Sequence, residues 1–304
     1  MREGPILVTG GSGQLATSLS DAAGARPLVR AGRPDFDFDR PETLASLLGR
    51  HAPSMIINAA AYTAVDRAET DADAAARANH DGPAALARYA AAKDIPLIHI
   101  STDYVFDGTK GAPYLETDAT NPTGVYGTTK LAGEQAVLAS GARALILRTS
   151  WVYAARGKNF VLTMLNLAEK HDRLRVVADQ IGCPTAAPDL ADAILGIVDA
   201  IRDGGWRDEF RGIFHAAGSG ATSWHGLASA AIAEAARLGG RSPPIDAITT
   251  ADYPTQAHRP ADSRLDCGRL AATFGRGLPD WRDALARTVA EIHRLRQADG
   301  AARR

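Results

Sequence analysis

Three features of the sequence predict an α/β fold of the Rossmann type, a doubly wound parallel sheet with a smaller mixed α/β substrate domain. A short apolar run, Ile6 to Val8, enters a glycine-rich turn; strand-like and helix-like segments then alternate; and the apolar run from Pro96 ends abruptly in Ser101, Thr102 and Asp103. Alternating strands and helices imply a parallel sheet with helices on both faces. Such sheets bind ligands beyond the carboxyl ends of their strands.

Pro5 to Thr9 reads as a buried strand, and Gly10-Gly11-Ser12-Gly13-Gln14-Leu15-Ala16 follows at once, opening a helix to about Ala23. Gly10, Gly13 and Ala16 give a G-x-x-G-x-x-A spacing. Small residues there let the backbone turn tightly against a pyrophosphate, which rests on the unpaired amides of the helix N-terminus. A glycine triplet alone also suits an ordinary strand-to-helix turn; the flanking strand and helix favour the dinucleotide reading. Pro27 to Gly32 is a second strand ending among Arg30 and Arg33. An NAD-selective site places an acid about twenty residues beyond the glycines. Arg33 reverses that charge and favours the 2′-phosphate of NADPH, with NADH as a second cofactor; the plain alternative is a solvated loop arginine.

Asp35 to Asp39 alternates acid and Phe as a short third strand would, Pro41 opens a helix at its favoured first position, and Ser54 to Ala60 is the next strand. Ala59, Ala60 and Ala61 end that strand with small side chains, leaving room for the cofactor backbone. An alanine-rich helical stretch follows from about Asp71 to Ala92, interrupted by Asn79 and His80. Pro96 to Thr102 is a strand whose end delivers Ser101, Thr102 and Asp103 to the same edge as the glycine turn. Phe106 to Pro122 reads as an irregular loop, Tyr126 to Ser140 as helix and Ala144 to Thr149 as strand, leading to Trp151 and Tyr153. Beyond, the alternation loosens: helices near Asn159 to Lys170 and Asp189 to Ile201, a strand at Gly212 to Ala216, and a helix after Thr222. This divides the chain into a dinucleotide-binding domain over residues 1–150 and a mainly substrate-binding region over 151–304, with some segments returning to the first domain. Ala301 to Arg304 is expected to fray.

With 304 residues and 45% hydrophobic content, the chain has ample material for a buried core. Its 34 basic and 35 acidic residues leave no global field to recruit nucleic acid or an anionic membrane. No apolar run is long enough to span a bilayer. Cys183 and Cys267 stand far apart and fit neither a disulfide framework nor a metal-ligand pair, as suits a reducing cytoplasm. The eight histidines show no ligand spacing, so no metal is predicted.

The chemistry sits between Ser101 and Lys130. Tyr126 and Lys130, four residues apart on a helix, share one face, where an ammonium favours the ionised phenolate. With a dinucleotide turn on the same sheet edge, this suggests hydride transfer to or from a carbonyl. Tyr126 exchanges the proton, Lys130 lowers its pKa and holds the nicotinamide ribose, and Thr102 hydrogen-bonds the carbonyl oxygen. A surface Tyr and Lys pair is the plain alternative for the two taken alone. Asp103 either adjusts proton affinity or caps a loop, and Trp151 either packs on a ligand ring or fills core. Ser101 and Ser150 lack a nucleophile elbow, so acyl transfer is not expected.

At these residues the chain resembles the extended short-chain dehydrogenase/reductase superfamily, and within it the dTDP-4-dehydrorhamnose reductases. The resemblance spans nearly the whole chain. It is carried by the glycine turn, by Asn58-Ala59-Ala60-Ala61-Tyr62-Thr63-Ala64-Val65-Asp66, by Ser101-Thr102-Asp103-Tyr104-Val105-Phe106-Asp107-Gly108 and by Tyr126-Gly127-Thr128-Thr129-Lys130-Leu131-Ala132-Gly133-Glu134. Arg148 to Tyr153, Asp179 to Thr185 and Arg259 to Leu265 also match. Ala16 departs from the glycine frequent in the family, a change the third fingerprint position permits. The resemblance implies reduction of the C4 ketone of dTDP-4-dehydro-L-rhamnose to dTDP-L-rhamnose. It assigns Thr102, Asp103 and Trp151 to the sugar, with Asp103 tuning proton transfer. Gly13, Gln14 and Leu15 go to the cofactor phosphates, Asp37 and Phe38 to the adenine, and Ala61, Tyr62 and Thr63 to the ribose and nicotinamide region. Arg259 is a candidate partner of the nucleotide diphosphate. Some members dimerise through Mg2+ held by acidic residues; no such cluster is evident here, so monomer and homodimer both stay open. Two alternatives accompany this reading: reduction of another nucleotide-linked 4-keto sugar, and a non-catalytic subunit like the regulatory subunit of methionine adenosyltransferase.

Overall fold

The computed structural model describes residues 4–302; of the expected fraying segment, residues 303 and 304 lie outside them. The first apolar run forms β1 (Ile6–Thr9), followed by α1 (Gln14–Asp21), β2 (Leu28–Ala31), α2 (Pro41–His51) and β3 (Met55–Asn58). The alanine-rich stretch is divided into short α3 (Val65–Ala68) and α4 (Ala72–Ala76), a π-helical segment Arg77–Asp81, and α5 (Gly82–Lys93). Next come β4 (Leu97–Thr102), α6 (Val125–Ala139), β5 (Ala144–Thr149), β6 (Val152–Tyr153), α7 (Phe160–Lys170), β7 (Leu174–Val177), β8 (Ile181–Gly182) and β9 (Thr185–Ala186). The remainder comprises α8 (Ala187–Gly204), β10 (Gly212–His215), β11 (Thr222–Ser223), α9 (Trp224–Arg237), β12 (Ile245–Ile248), α10 (Gly268–Phe274) and α11 (Trp281–Ala302).

Six strands form one sheet in the order β2-β1-β3-β4-β5-β10, every neighbouring pair parallel. The order reverses between β1 and β3, where open α/β sheets place their ligand crevice. Leucine, isoleucine and valine side chains cover both faces, as expected of strands buried on two sides. On one face Ile6, Val8, Ile57, Ile98 and Leu147 meet Leu15 and Leu19 of α1 and Leu190, Ile194 and Ile197 of α8. On the other, Leu7, Ile56, Leu97 and Ile146 meet α2, α5 and α6 through Leu47, Leu86, Ala90 and Val137. A separate core joins α7, α9 and α11 through Val161, Leu165, Leu227, Ala231, Trp281 and Leu285. Thus α8 and β10 extend the layers begun by the first 150 residues, while α7, α9 and α11 pack among themselves.

The strand expected at Asp35 to Asp39 is absent; these residues form turns. Local side-chain hydrogen bonds take the backbone groups a strand would use: the Asp37 amide donates to Thr43 Oγ1 at 3.1 Å and the Asp39 amide to Asp37 Oδ1 at 3.1 Å.

Near the carboxyl ends of the strands the α5/α6 face turns polar. Thr9, Asn58 and His99 stand in register across β1, β3 and β4, and Ser101, Arg148 and His215 across β4, β5 and β10. All six are buried. Thr9 Oγ1 donates to Asn58 Oδ1 at 2.6 Å, so Asn58 turns its amide nitrogen to His99 Nδ1 at 3.0 Å. The His99 proton therefore sits on Nε2, and burial with nearby Lys130 holds the imidazole neutral, well below its ordinary pKa.

Candidate active site

The glycine turn is closely packed against the neighbouring backbone. Gly10 has φ +112°, and a Cβ there would lie 3.0 Å from the Ala59 carbonyl; a Cβ on Gly13 would lie 3.0 Å from Gly10 O. The Gly13 amide donates to Gly10 O at 2.8 Å, closing the turn onto α1. That helix has no side-chain cap at Gly13 and no acid in its first turn. Its first amides are left for an anion. Leu15 buries its side chain in the core, so only its amide faces this role. Gln14 Oε1 accepts from Asn159 Nδ2 at 2.8 Å, tying the helix start to the second half of the chain.

Across the crevice, Ala61 and Tyr62 are half-buried and Thr63 is exposed. Asn79, which sequence reading registered only as a helix interruption, holds this loop: its Oδ1 accepts from the Tyr62 amide at 2.8 Å, and its Nδ2 donates to Tyr62 O and to Thr129 Oγ1. The π-helical turn carries Asn79 toward α6. Gly133 admits that approach, since a Cβ there would lie 2.0 Å from Asn79 O.

Arg33 is exposed and bridges Asp37 and Asp39, each at 2.9 Å. Phe38 meets Phe36 edge-on, with ring centroids 4.7 Å apart, and lies where a Cβ on Gly82 would fall. Arg33, Asp37 and Phe38 thus gather beside the end of β2.

Thr102, Asp103 and Tyr126 come together at the end of β4. Thr102 Oγ1 donates to Asp103 Oδ1 at 3.1 Å, Ser150 Oγ donates to Asp103 Oδ2 at 2.9 Å, and Ser263 is a third hydroxyl on this carboxyl. Burial pushes Asp103 up to about 6, and the three hydroxyls oppose that rise. Enclosure pushes the Tyr126 phenol up to about 12; a hydrogen bond with Thr102 opposes the shift and Asp103 adds to it. The Tyr104 ring packs edge-on against Tyr126 at 5.6 Å. Lys130 is buried, its Nζ donating to Ile100 O at 2.6 Å, and burial pulls its pKa down to about 8 against the pull of Glu134. The expected lowering of the Tyr126 pKa by Lys130 is therefore reversed: the ammonium turns to a backbone carbonyl, and desolvation governs the phenol. Glu134 completes the support beneath, accepting from Ser101 Oγ at 2.5 Å and from Arg148 at 2.9 and 2.6 Å.

Trp151 has φ +49° and stacks flat on Trp224, ring centroids 3.5 Å apart. Gly182 makes room, since a Cβ there would lie 2.5 Å from the indole. Trp224 Nε1 donates to Gln180 Oε1 at 3.1 Å. Arg259 pairs with Asp66, Nη2 to Oδ2 at 2.8 Å, and reaches the Tyr104 hydroxyl. Sequence reading missed Ser263, Asn79 and Trp224 as site neighbours. Ser263 lay within a matched block, but its partner is 160 positions away, a separation no local pattern spans. Among the described residues no cluster of three or more His, Cys, Asp or Glu could hold a metal ion, and no helix is long and apolar enough to cross a membrane.

A parallel sheet with a glycine cradle at its switch point, and Thr102, Tyr126 and Lys130 at the neighbouring strand edge, defines a dinucleotide-dependent oxidoreductase of the short-chain dehydrogenase/reductase type. Comparison narrows the class. The family model "RmlD substrate binding domain" matches residues 4–294. The dTDP-4-dehydrorhamnose reductase of Sinorhizobium fredii is 47% identical over 287 residues, covering 93% of this chain and 96% of that protein. Among solved structures, the Clostridium acetobutylicum dTDP-4-dehydrorhamnose reductase superposes with a TM-score of 0.86 at 35% identity, over 95% of this chain and 99% of its own. The Bacillus anthracis dTDP-4-dehydrorhamnose reductase in complex with NADP gives 0.87 at 29% identity, over 95% and 100%. The chain belongs to the dTDP-4-dehydrorhamnose reductase family.

Proposed function

We propose that this chain reduces the C4 ketone of dTDP-4-dehydro-L-rhamnose to give dTDP-L-rhamnose, with NADPH as first cofactor and NADH as second, and with Tyr126 as proton donor. The observation that carries this reading is the hydrogen-bonded group of Thr102, Asp103 and Tyr126 on the same sheet edge as the glycine cradle. Residues 1–150 hold the cofactor and residues 151–304 mainly the sugar. Gly10, Gly13 and the amides of Gln14 and Leu15 hold the pyrophosphate, Arg33 the 2′-phosphate, Asp37 and Phe38 the adenine, Ala61, Tyr62 and Thr63 the ribose and nicotinamide end, and Lys130 the nicotinamide ribose.

When bound, the reduced cofactor supplies a hydride to the carbonyl carbon. As charge builds on the ketone oxygen, Tyr126 releases its phenolic proton to it. A phenol near 12 is protonated at neutral pH, which is the form a donor requires. Thr102 turns its one hydroxyl proton from Asp103 to the same oxygen when the ketone is bound, and Asp103, ionising near 6, remains beside it to adjust the charge at the site. Lys130 places positive charge one helical turn from the phenolate left behind. Trp151, held by Trp224, presents its indole to the sugar.

The test follows oxidation of NADPH and of NADH with dTDP-4-dehydro-L-rhamnose and identifies the product by NMR. The rhamnose isomer is expected with both cofactors. Well-folded protein that turns over neither sinks the reductase reading and leaves a binding subunit. A product of another configuration moves the substrate to a different nucleotide-linked 4-keto sugar. Tyr126→Phe is expected to lower kcat by about 10² to 10⁴ while retaining cofactor binding. A variant working at the parental rate would remove Tyr126 from the donor role.

A further inference from the structure

Beside the end of β2 a single carboxylate is shared by two arginines from different parts of the chain. Arg33 Nη2 meets Asp39 Oδ2 at 2.9 Å, and Arg77 Nε meets Asp39 Oδ1 at 2.7 Å. Arg33 leaves β2 directly against the glycine turn: the Gly11 amide donates to Ala31 O at 2.8 Å, and a Cβ on Gly32 would lie 2.4 Å from Gly11 Cα. Arg77 begins the π-helical segment, two residues before the Asn79 that holds the Tyr62 loop. Through Asp39 the pair stands beside Asp37 and Phe38, the residues given to the adenine, with one arginine coming from the sheet side and one from the helical layer. Arg30, the other nearby cation of β2, is turned away, donating to Thr17 Oγ1 of α1 at 2.9 Å.

We propose that Asp39 is an internal competitor for the 2′-phosphate of NADPH, and that Arg77 is the second arginine of that phosphate site. The inference rests on the proposed use of NAD(P)H. With a 2′-hydroxyl on the ribose, Asp39 pairs with both guanidinium groups and, together with Asp37 on Arg33, balances their two charges, so NADH is admitted without uncompensated charge at its ribose. With a 2′-phosphate, both arginines exchange the carboxylate for a group bearing about −1.5 to −2 charge and three acceptor oxygens, which guanidinium forks match well. The exchange is easy because the ion pairs are exposed: Arg33, Arg77 and Asp39 retain 70%, 46% and 42% of their side-chain surface. Exposed pairs of this kind are individually weak. Arg33 remains anchored by Asp37, 2.9 Å from its Nε, while its Nη2 changes partner. One pocket thereby serves both cofactors, with Asp39 setting the balance.

The test is calorimetric binding of 2′,5′-ADP and of 5′-AMP to the full chain, which needs no turnover. Asp39→Asn is expected to tighten 2′,5′-ADP by about two- to thirtyfold, the range that losing two exposed ion pairs implies, with 5′-AMP unchanged. Arg77→Gln is expected to weaken 2′,5′-ADP selectively. The kcat/KM ratio for NADPH over NADH should move in the same directions. Should Asp39→Asn fail to fold, Asp39→Ser asks the same question. Equal effects on the two nucleotides, or no effect of either substitution on 2′,5′-ADP, overturn the proposal. Selective shifts in a protein that reduces no sugar leave the proposal standing and sink the substrate reading. Wild-type protein that binds neither nucleotide sinks the cofactor reading and the proposal with it.

Discussion

Asp103 is a carboxyl folded inward against hydroxyls, and burial raises it to about 6. Between the unfolded value, about 4, and 6 the native state binds more protons than the unfolded chain. The stability from this group is thus complete below the unfolded value and lost as pH rises through about 6. Thermal melts of wild type and Asp103→Asn across that window are expected to diverge, the wild type losing ground to the variant as pH rises. A constant difference would mean that Asp103 titrates in the fold as it does in the unfolded chain, against the raised value. Thr102 and Asp103 are legible in the sequence because an apolar strand ending in polar residues is a local pattern, and Tyr126 because its four-residue spacing to Lys130 is another. Ser150 shows locally only a hydroxyl without a nucleophile elbow, and Ser263 reaches the carboxyl from a distant loop.

The contact between α6 and the π-helical segment ties the Tyr62 loop through Asn79 to Thr129, which lies between Tyr126 and Lys130 on α6. Its closeness depends on Gly133, where a Cβ would fall 2.0 Å from Asn79 O. Gly133→Ala is expected to destabilise the protein by about 1–3 kcal/mol, the usual cost of overpacking, measured by urea unfolding. Because the displaced carbonyl belongs to Asn79, turnover should fall as well, and a variant with parental stability would show that the helices simply separate. The alanine pattern made the helices here readable, but the π-turn arises from tertiary packing and leaves only Asn79 and His80 as a trace. At Asp35 to Asp39 local reading failed outright, since alternation of Phe and Asp suits a strand and an Asx-type turn alike.

Across the whole molecule, ion pairs contribute according to burial. Glu134 and Arg148 join α6 to β5 at 1% and 2% side-chain exposure, whereas Arg26 and Asp199 join the segment after α1 to α8 at 27% and 38%. Removing one partner of the buried pair leaves an uncompensated charge inside, so Glu134→Gln is expected to cost about 3–5 kcal/mol. Asp199→Asn should cost no more than about 1 kcal/mol. Chemical denaturation of the two variants side by side checks the contrast, and comparable losses would contradict it.

The sequence by itself determined the alternation of strands and helices, the glycine cradle, the Tyr126 and Lys130 spacing and the polar end of β4. Each follows from backbone sterics or side-chain period, which act over a few residues. Tertiary structure alone decided the order of the six strands, the return of α8 and β10 to the sheet, the hydroxyls on Asp103, the sharing of Asp39 between Arg33 and Arg77, and the direction in which Tyr126 shifts. Those depend on what packs over a group and from how far along the chain it comes, because desolvation and long-range pairing have no local pattern.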